Sequence, residues 1–184
     1  EVAAAAVEAG ASIVNDVSGG LADPAMATTV AGLDVPFVAM HWRGHSTTMA
    51  DRAIYDDVVT DVVTELADRL DALIDAGIRE DRIVLDPGIG FAKTGAHNWA
   101  LLAHLDRIRE LGRPVLVGAS RKAFLGALMT GVEAAIPPPT DRDDLTCAVS
   151  TLAAAAGAYC LRVHDVKSTR RAVAVAAAWG RVTR

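Results

Sequence analysis

The chain has 184 residues, of which 52% are hydrophobic and 22% charged, and its formal net charge is −5. This length and composition suit one folded domain with a sizeable core and exclude a disordered chain. The acidic balance argues against a general nucleic-acid-binding protein, although a local basic cluster could still hold a small phosphate. The apolar stretches are too short to cross a membrane and no signal peptide is visible, so we expect a cytoplasmic protein that binds neither nucleic acid nor membrane.

The predicted elements form a helix followed by five strand–helix units. Short runs of Val, Ile and Leu predict strands buried on both faces, as in a parallel sheet, and apolar residues recurring at three and four predict helices. In chain order, we expect a helix over 1–9, a strand over 12–14, a helix that starts at Asp23-Pro24 and ends at Gly32, a strand over 35–39, a helix over 56–76, a strand over 83–85, a helix over 98–111, a strand over 114–118, a short helix over 121–129, a helix over 143–156, a strand over 159–161 and a helix over 168–179.

Two architectures fit this order. An open doubly wound sheet needs five or six strands, whereas a (β/α)8 barrel needs eight strands and about 250 residues. No strand precedes the first helix, as if the chain began inside a βα unit, and we therefore favour a partial barrel. Two long connections, 42–55 and 130–141, interrupt the pattern, and the second contains three consecutive prolines and is not helical throughout.

Each predicted strand ends at polar, chemically capable side chains. Asn15, His41, Asp86, Ser120 and Arg162 stand at or just beyond the five ends. The carboxyl ends of parallel strands meet on one face, which is where α/β proteins place their sites. One polar ending would mean little, but five together predict a single polar pocket.

The segment LDPGIGFAK at residues 85–93 is the most specific local motif. It is rich in glycine, yet it has neither the spacing of a P-loop nor that of a dinucleotide-binding fingerprint. Two interpretations stay open at this point. The turn either leaves Asp86 facing the pocket, or Asp86 only caps the turn.

Three other motifs carry similar pairs of interpretations. The pair Asn15-Asp16 could bind the amino and N–H edge of a heterocycle, or it could form an Asx-turn into the following glycines. The segment 120–122 could bind an anion at a helix start, or it could be an ordinary N-cap with solvated basic neighbours. Arg162 and His164 alternate by two and so point to the same face, where they suit a phosphate better than a core.

Metal and nucleophile signatures are weak. The spacings of His41, His45, His97 and His104 match no zinc-ligand pattern, and His97 and His104 are better explained as helix surface residues or satisfied polar groups. Cys147 and Cys160 form no CxxC pair and are expected to be reduced. No Ser-His-Asp signature such as G-x-S-x-G is present.

Taken together, these motifs resemble those of the dihydropteroate synthase family. The matching segments are VNDVSGG at 14–20, MHW at 40–42, LDPGIGFAK at 85–93, SRKAFLG at 120–126 and RVHDV at 162–166. The resemblance covers essentially the whole chain and implies a (β/α)8 barrel, with this chain supplying strands four to eight and their helices. It makes residues 1–184 a single pterin-binding domain whose N-terminal third is absent, so that two strand edges and apolar residues near Ile13, Val38 and Leu161 would be exposed.

The resemblance also implies an activity, the condensation of 6-hydroxymethyl-7,8-dihydropterin diphosphate with p-aminobenzoate to give 7,8-dihydropteroate and pyrophosphate. It assigns Lys122, Arg162 and His164 as catalytic residues. The residues it assigns to substrate binding are Asn15, Asp86, Phe91, Gly118, Ser120, Lys122, Arg162 and His164. It also implies a Mg²⁺ ion, whose expected Asn ligand would lie in the missing part and not in this sequence, and a homodimer at full length.

Two alternatives remain. Another pterin-binding barrel, of the methyltetrahydrofolate methyltransferase type, would explain Asn15 and Asp86 but would leave the diphosphate-binding motifs at 120–122 and 162–164 without a purpose. A non-catalytic homologue would explain a missing N-terminus. Binding of pterin diphosphate to the purified protein distinguishes the three.

Overall fold

The computed structural model of the chain describes residues 1–45, 47, 50–130 and 135–182. The strands are β1 (Val14–Asp16), β2 (Phe37–Met40), β3 (Ile83–Asp86), β4 (Leu116–Val117) and β5 (Cys160–Leu161). The α-helices are α1 (Val2–Glu8), α2 (Met26–Leu33), α3 (Val58–Asp75), α4 (Gly95–Ala103), α5 (Leu105–Arg109), α6 (Ala123–Gly126), α7 (Asp143–Ala155) and α8 (Val166–Val182). Four short 3₁₀ helices occupy Ala50–Arg52, Glu80–Arg82, Ala127–Met129 and Pro139–Arg142.

All strand pairings in the described residues are parallel, as the sequence predicted. Strands β1, β2 and β3 form one sheet in that order, and β4 pairs with β5. A single parallel bridge between Leu85 and Val115 connects the two sheets, supported by a 2.9 Å hydrogen bond from Leu85 N to the Pro114 carbonyl oxygen. The five strands therefore follow one another in chain order, with their carboxyl ends on one face.

Helix α3 shows how the core forms. Its buried residues Val59, Val62, Leu66, Leu70 and Leu73 recur at three and four and so face one side, where they join the core cluster beneath the sheet. The Asp57 side chain caps the first turn by accepting a 2.7 Å hydrogen bond from Thr60 N. Gly77, at φ +95°, follows the last turn.

The segment predicted as one helix over 98–111 is two helices, α4 and α5. The chain leaves the helical conformation at His104 (φ −121°, ψ 40°), whose ring Nδ1 donates to the Ala100 carbonyl oxygen. Helix α4 also begins earlier than predicted, because the Thr94 side chain accepts from His97 N and the two residues form a capping box. His97 thus serves as a cap, which agrees with its prediction as a helix surface residue or a satisfied polar group.

Helix α2 also differs from its prediction at both ends. It starts at Met26, because Asp23 caps a turn through a hydrogen bond from Ala25 N at 2.9 Å before the helix begins. It does not stop at Gly32 but continues to Leu33, and Asp34 takes the left-handed conformation (φ 48°) that ends it. Asp tolerates that conformation better than most residues. The other helix ends lie within three residues of their predictions. In the second long connection, residues 131–134 lie outside the described residues.

The two outer strands differ from the inner ones in exposure. Ile13, next to β1, has 56% of its surface exposed and Leu161 in β5 is half-buried, as expected for strands at the ends of an unclosed sheet. Val38 was expected to be exposed as well, but only 4% of its surface is, because β2 lies between β1 and β3. Among the described residues, no helix is both long enough and apolar enough to cross a bilayer.

Candidate active site

The polar residues at the strand ends converge at one place. Asn15 lies in β1, Asp86 ends β3, and Gly118 and Arg162 directly follow β4 and β5. Arg162 joins the others, since its Nη1 donates to Asn15 Oδ1 at 3.0 Å and its Nη2 lies 2.8 Å from Asp86 Oδ2. A pocket at the carboxyl ends of the strands was predicted, and three of its residues are in direct contact.

Asp86 is the most buried charged group of this pocket, with a side chain that is 0% exposed. Its Oδ1 accepts a 2.8 Å hydrogen bond from Gly88 N. Its Oδ2 meets Arg162 as an ion pair but has no hydrogen bond of regular geometry among the described residues, so it can accept one from a ligand. Burial raises the pKa of Asp86 above its usual range, and the Arg162 charge opposes that rise.

Both interpretations of the 85–93 motif are therefore partly correct, because one carboxylate oxygen caps the turn and the other faces Arg162. The turn also requires glycine at 88, where φ is +68° and a Cβ atom would lie 2.5 Å from the His41 carbonyl oxygen. Gly118 has a similar role at the next strand, since a Cβ there would lie 2.5 Å from Arg162 Nη2. Gly118 therefore leaves space for the Arg162 guanidinium that contacts Asp86, while Gly88 allows the close approach of its turn to His41.

The pair Asn15-Asp16 divides between its two interpretations. Asn15 is exposed at the strand end and contacts Arg162. Asp16 turns away and forms the Asx-turn, accepting from Ser18 Oγ at 2.7 Å and from Gly20 N at 2.6 Å. Only Asn15 is available to a ligand of the pocket.

Ser120 and His164 form a second contact pair. The His164 backbone N–H donates to Ser120 Oγ at 3.2 Å, and the hydroxyl lies 2.9 Å from His164 Nδ1. In the tautomer in which the hydroxyl donates to Nδ1, the imidazole proton lies on Nε2. The His164 ring is exposed, so this N–H is free to donate to an anion.

Lys122 and Phe91 form the third pair, with the ammonium group 4.0 Å from the centre of the ring. Burial lowers the pKa of Lys122, and the nearby Arg162 charge lowers it further. The preceding residue, Arg121, anchors this loop to α7 through Asp143, with N–O distances of 2.8 and 2.7 Å. Of the two basic residues in this segment, Arg121 therefore anchors the loop and Lys122 lies at the pocket.

Sequence reasoning missed a group of charged residues behind Asp86. His41, only 4% exposed, lies between Glu65 and Lys93, and Arg43 binds Glu65 from the other side. The motifs MHW and LDPGIGFAK contained two of these residues, but nothing in the sequence indicated that Glu65 would meet them. Within the described residues, no group of three or more His, Cys, Asp or Glu side chains is arranged to hold a metal ion.

Comparisons with known proteins agree with this geometry. A family model described as pterin binding enzyme matches residues 1–164. The dihydropteroate synthase of Mycobacterium leprae is 49% identical over 180 residues, which cover 97% of this chain and 63% of the relative.

Solved structures of dihydropteroate synthases are similar to this chain in both sequence and fold. The dihydropteroate synthase of Thermus thermophilus in complex with 4-aminobenzoate has a TM-score of 0.86 at 42% identity, with 96% of this chain and 66% of that chain covered. The Xanthomonas albilineans dihydropteroate synthase in complex with 7,8-dihydropteroate has a TM-score of 0.84 at 44% identity, with 99% and 63% covered.

The chain therefore belongs to the family of pterin binding enzymes. Within that family, the relatives described above are dihydropteroate synthases, which confirms the resemblance predicted from the five motifs. The chain spans 63% of the length of the Mycobacterium leprae relative.

Proposed function

We propose that this chain carries the substrate-binding face of a dihydropteroate synthase, which joins 6-hydroxymethyl-7,8-dihydropterin diphosphate to p-aminobenzoate and releases pyrophosphate. The observation that carries the proposal is the contact of Arg162 with both Asn15 and the buried Asp86. Relatives solved with 7,8-dihydropteroate and with 4-aminobenzoate support it. In this proposal, β1 to β5 are strands four to eight of a (β/α)8 barrel, and residues 1–184 are one domain.

Asp86 and Asn15 bind the pterin edge in this proposal. A pterin presents an amino group and a ring N–H side by side, and both need acceptors. Asp86 Oδ2 is buried and lacks a regular hydrogen bond, so it is a strong acceptor for one of them. Asn15 can both accept and donate through its amide. Arg162 lies against both and can stack on the ring as its planar guanidinium allows.

Arg162 and His164 bind the diphosphate. The guanidinium presents several N–H donors in a planar fork that matches phosphate oxygens, and the Nε2–H of His164 adds another donor. Ser120 fixes the orientation of the His164 ring through its 2.9 Å contact with Nδ1. Together they stabilise the negative charge that accumulates on the departing pyrophosphate.

Lys122, Phe91, Gly118 and Ser120 form the remaining wall. We assign Lys122 to the polar side of the pterin ring, and Phe91, Gly118 and Ser120 to the p-aminobenzoate pocket. The contact of the Lys122 ammonium with the Phe91 ring keeps both side chains at this wall.

The reaction needs no covalent nucleophile from the protein. The bond between the exocyclic CH2 and the diphosphate oxygen breaks, and the electron pair leaves with pyrophosphate. The pterin ring spreads the resulting positive charge, and the amine of p-aminobenzoate then forms the new C–N bond and loses a proton. The protein's part is to bind, orient and stabilise charge, which suits a pocket of fixed donors and acceptors.

The Mg²⁺ ion implied by the resemblance is not matched by the described residues. They offer no cluster of three or more His, Cys, Asp or Glu side chains that could hold it, and its expected Asn ligand lies outside this sequence. We therefore derive no step through a metal. A homodimer remains a proposal that rests on the resemblance, and a cytoplasmic location remains a proposal that rests on the sequence.

The test is to measure binding and turnover in the protein at its full natural length. We expect pterin diphosphate to bind, and p-aminobenzoate to be incorporated with release of pyrophosphate. Binding of methyltetrahydrofolate without any affinity for the diphosphate would favour a methyltransferase-type barrel. Binding of pterin diphosphate without turnover would favour a non-catalytic homologue.

A further inference from the structure

A chain of polar groups lies behind Asp86, with His41 buried and Glu65 and Lys93 half-buried, and the proposed reaction does not use it. His41 Nδ1 lies 3.0 Å from Lys93 Nζ, and His41 Nε2 lies 2.9 Å from Glu65 Oε2. Lys93 Nζ also donates to the Phe91 carbonyl oxygen at 3.1 Å. The three side chains thus connect α3, the end of β2 and the turn that follows Asp86.

The charge of Glu65 is balanced within this chain of groups, whereas that of Lys93 is not. Arg43 Nε donates to both Glu65 oxygens at 3.1 Å, and the Arg43 guanidinium lies 3.8 Å from the centre of the Tyr55 ring. No described residue forms an ion pair with Lys93, whose two hydrogen-bond acceptors are neutral. The carboxylate whose attraction most favours the charged form of Lys93 is that of Asp86.

Lys93 lies against the backbone turn that binds Asp86. A Cβ atom built on Gly88 would be 3.4 Å from Lys93 Nζ, and Gly88 N donates to Asp86 Oδ1 at 2.8 Å. Arg162 approaches the same carboxylate from the opposite oxygen, Oδ2. The buried Asp86 carboxylate therefore has one cation in the pocket and a second cation behind the turn.

The two cations near Asp86, Arg162 and Lys93, differ in how easily a ligand can move them. Arg162 has a side chain that is 39% exposed and contacts Asn15 as well, so a ligand can draw it away from Asp86. Lys93 is half-buried, and its ammonium group is held against the turn by hydrogen bonds to His41 Nδ1 and the Phe91 carbonyl oxygen. A buried carboxylate that loses its only cation takes up a proton, and a protonated Asp86 would be a much weaker acceptor for the pterin donors.

We propose that Lys93 is a positioning residue of this site, and that its ammonium group, held by His41, keeps the Asp86 carboxylate ionised when Arg162 turns from Asp86 to the substrate. The proposal rests on the proposed function for the role of Arg162, but the link between Lys93 and Asp86 is independent of it. Burial lowers the pKa of Lys93 to about 7 and Asp86 opposes this shift, while the charge of Lys93 in turn opposes the raised pKa of Asp86.

The protonation of Lys93 depends on every titratable or charged group that faces it. These groups are His41 at the end of β2, Glu65 from α3, Arg43 and Tyr55 from the 42–55 connection, and Asp86 from β3. Burial lowers the pKa of His41, and hydrogen bonding from His41 lowers that of Glu65 to about 2. His41 is then neutral and Glu65 ionised near neutral pH, so proton exchange in that range belongs to Lys93.

The direct test reads the ionisation of Asp86 without any ligand. In the protein at its full natural length, labelled with ¹³C at the aspartate carboxyl carbons, the Asp86 resonance is titrated in the wild type, in Lys93→Met and in Lys167→Met. Lys167 is an exposed lysine that serves as the matched control. We expect the Asp86 midpoint to rise by about one pH unit in Lys93→Met and to stay in place in Lys167→Met. An unchanged midpoint in Lys93→Met would overturn the proposal.

The wild type alone provides a second reading, in case Lys93→Met does not fold. Its Asp86 resonance should show a further inflection near pH 7, as Lys93 loses its proton. A flat Asp86 resonance across that range would show that Lys93 does not act on Asp86, and the proposal would fail.

Calorimetry with pterin as the ligand tests whether the effect of Lys93 on Asp86 changes the affinity for substrate. Below the raised midpoint of Asp86, we expect Lys93→Met to bind pterin about tenfold more weakly than the wild type, with Lys167→Met equal to the wild type. Equal pterin affinity in all three proteins at every pH would overturn the positioning role. If none of them binds pterin, the proposed function fails, while the carboxyl titration still decides whether Lys93 controls Asp86.

Discussion

At the scale of the residue, one guanidinium group organises the pocket. Arg162 presents separate nitrogens to Asn15 at 3.0 Å and to Asp86 at 2.8 Å, and the absence of a side chain at Gly118 leaves room for it. A lysine ammonium at this position is a compact point charge and does not present two nitrogens in one plane. The geometry of the group therefore matters here as much as its charge.

Arg162→Lys should not restore the activity lost in Arg162→Ala. We expect both variants to retain the fold but to show a large loss of turnover, because neither can contact Asn15, Asp86 and a phosphate together. Steady-state kinetics in the full-length protein measures this, with Arg107→Lys as the control, since Arg107 pairs with Glu110 on the surface. Wild-type turnover in Arg162→Lys would contradict the assigned role.

Asp86→Ala should weaken pterin binding without a comparable effect on p-aminobenzoate. Losing a charged hydrogen-bond partner costs about 1.5–3 kcal/mol, or about 10- to 100-fold in affinity. Calorimetry with pterin measures the loss, and Asp81→Ala, at an exposed aspartate that pairs with Arg79, is the matched control. An Asp86→Ala protein that binds pterin as the wild type does would rule out Asp86 as the pterin acceptor.

At the scale of the element, strands and long helices were predictable because their signals are local. The five strands and helix α3 follow from the apolar pattern, although β1, β2 and β4 each begin two residues later than predicted, and the same runs indicated which polar residues would share a face. The break at His104 was not predictable, because the ring that binds the Ala100 carbonyl oxygen lies within an unbroken helical pattern. The start of α2 at Met26 was not predictable either, because the Asp23 cap that the sequence indicated closes a separate turn just before the helix.

The site shows a similar division. Asn15, Asp86 and Arg162 could be predicted as pocket residues because each directly follows a short apolar run in the sequence. Glu65 could not, because it is one of several acidic residues on the polar side of α3, and only tertiary packing brings it to His41. The sequence thus indicated which residues face a ligand but not which residues support them from behind.

Helix α3 should contribute acid-sensitive stability through Glu65. Hydrogen bonding from His41, and then from Arg43, lowers the pKa of Glu65 from 4.5 to about 2. A carboxylate with a depressed folded-state pKa stabilises the fold above its unfolded value, and this contribution is lost as the pH falls from about 4.5 to about 2.

Glu65→Gln removes that contribution. We expect the variant to be less stable than the wild type at neutral pH, with the difference narrowing as the pH falls through this window. Urea unfolding at several pH values measures it, and Glu110→Gln, on the exposed surface, should follow the wild type throughout. A constant difference between Glu65→Gln and the wild type would refute the linkage.

At the scale of the whole molecule, the outer edges of β1 and β5 have no strand partner among the described residues. Large apolar side chains lie close to both edges, with Ile13 at 56% and Tyr159 at 72% exposed. A groove between β5 and α8, lined by Leu161, Val166 and Val173 among others, lies open beside the second edge. Such edges and grooves are normally covered by further structure.

The 184 residues alone should therefore be poorly soluble or molten, and should show no synthase activity. We expect activity when they are joined to the segment of the Mycobacterium leprae relative that lies outside the match. Thermal unfolding and p-aminobenzoate incorporation measure both forms. Robust turnover by the 184-residue chain as a folded monomer or dimer would show that the architecture or the catalytic assignment is wrong.

The contact between Asn15 and Arg162 has a consequence for the order of folding. The two residues are 147 positions apart, because Asn15 lies in β1 and Arg162 directly follows β5. The pocket therefore cannot exist until the final strand has left the ribosome and docked, and contacts of such separation form slowly. A ligand held between these strands ties the beginning of the sheet to its end. Its binding free energy then opposes unfolding of the entire chain and not only the opening of one loop, and this stabilisation grows with the logarithm of the ligand concentration once that exceeds the dissociation constant.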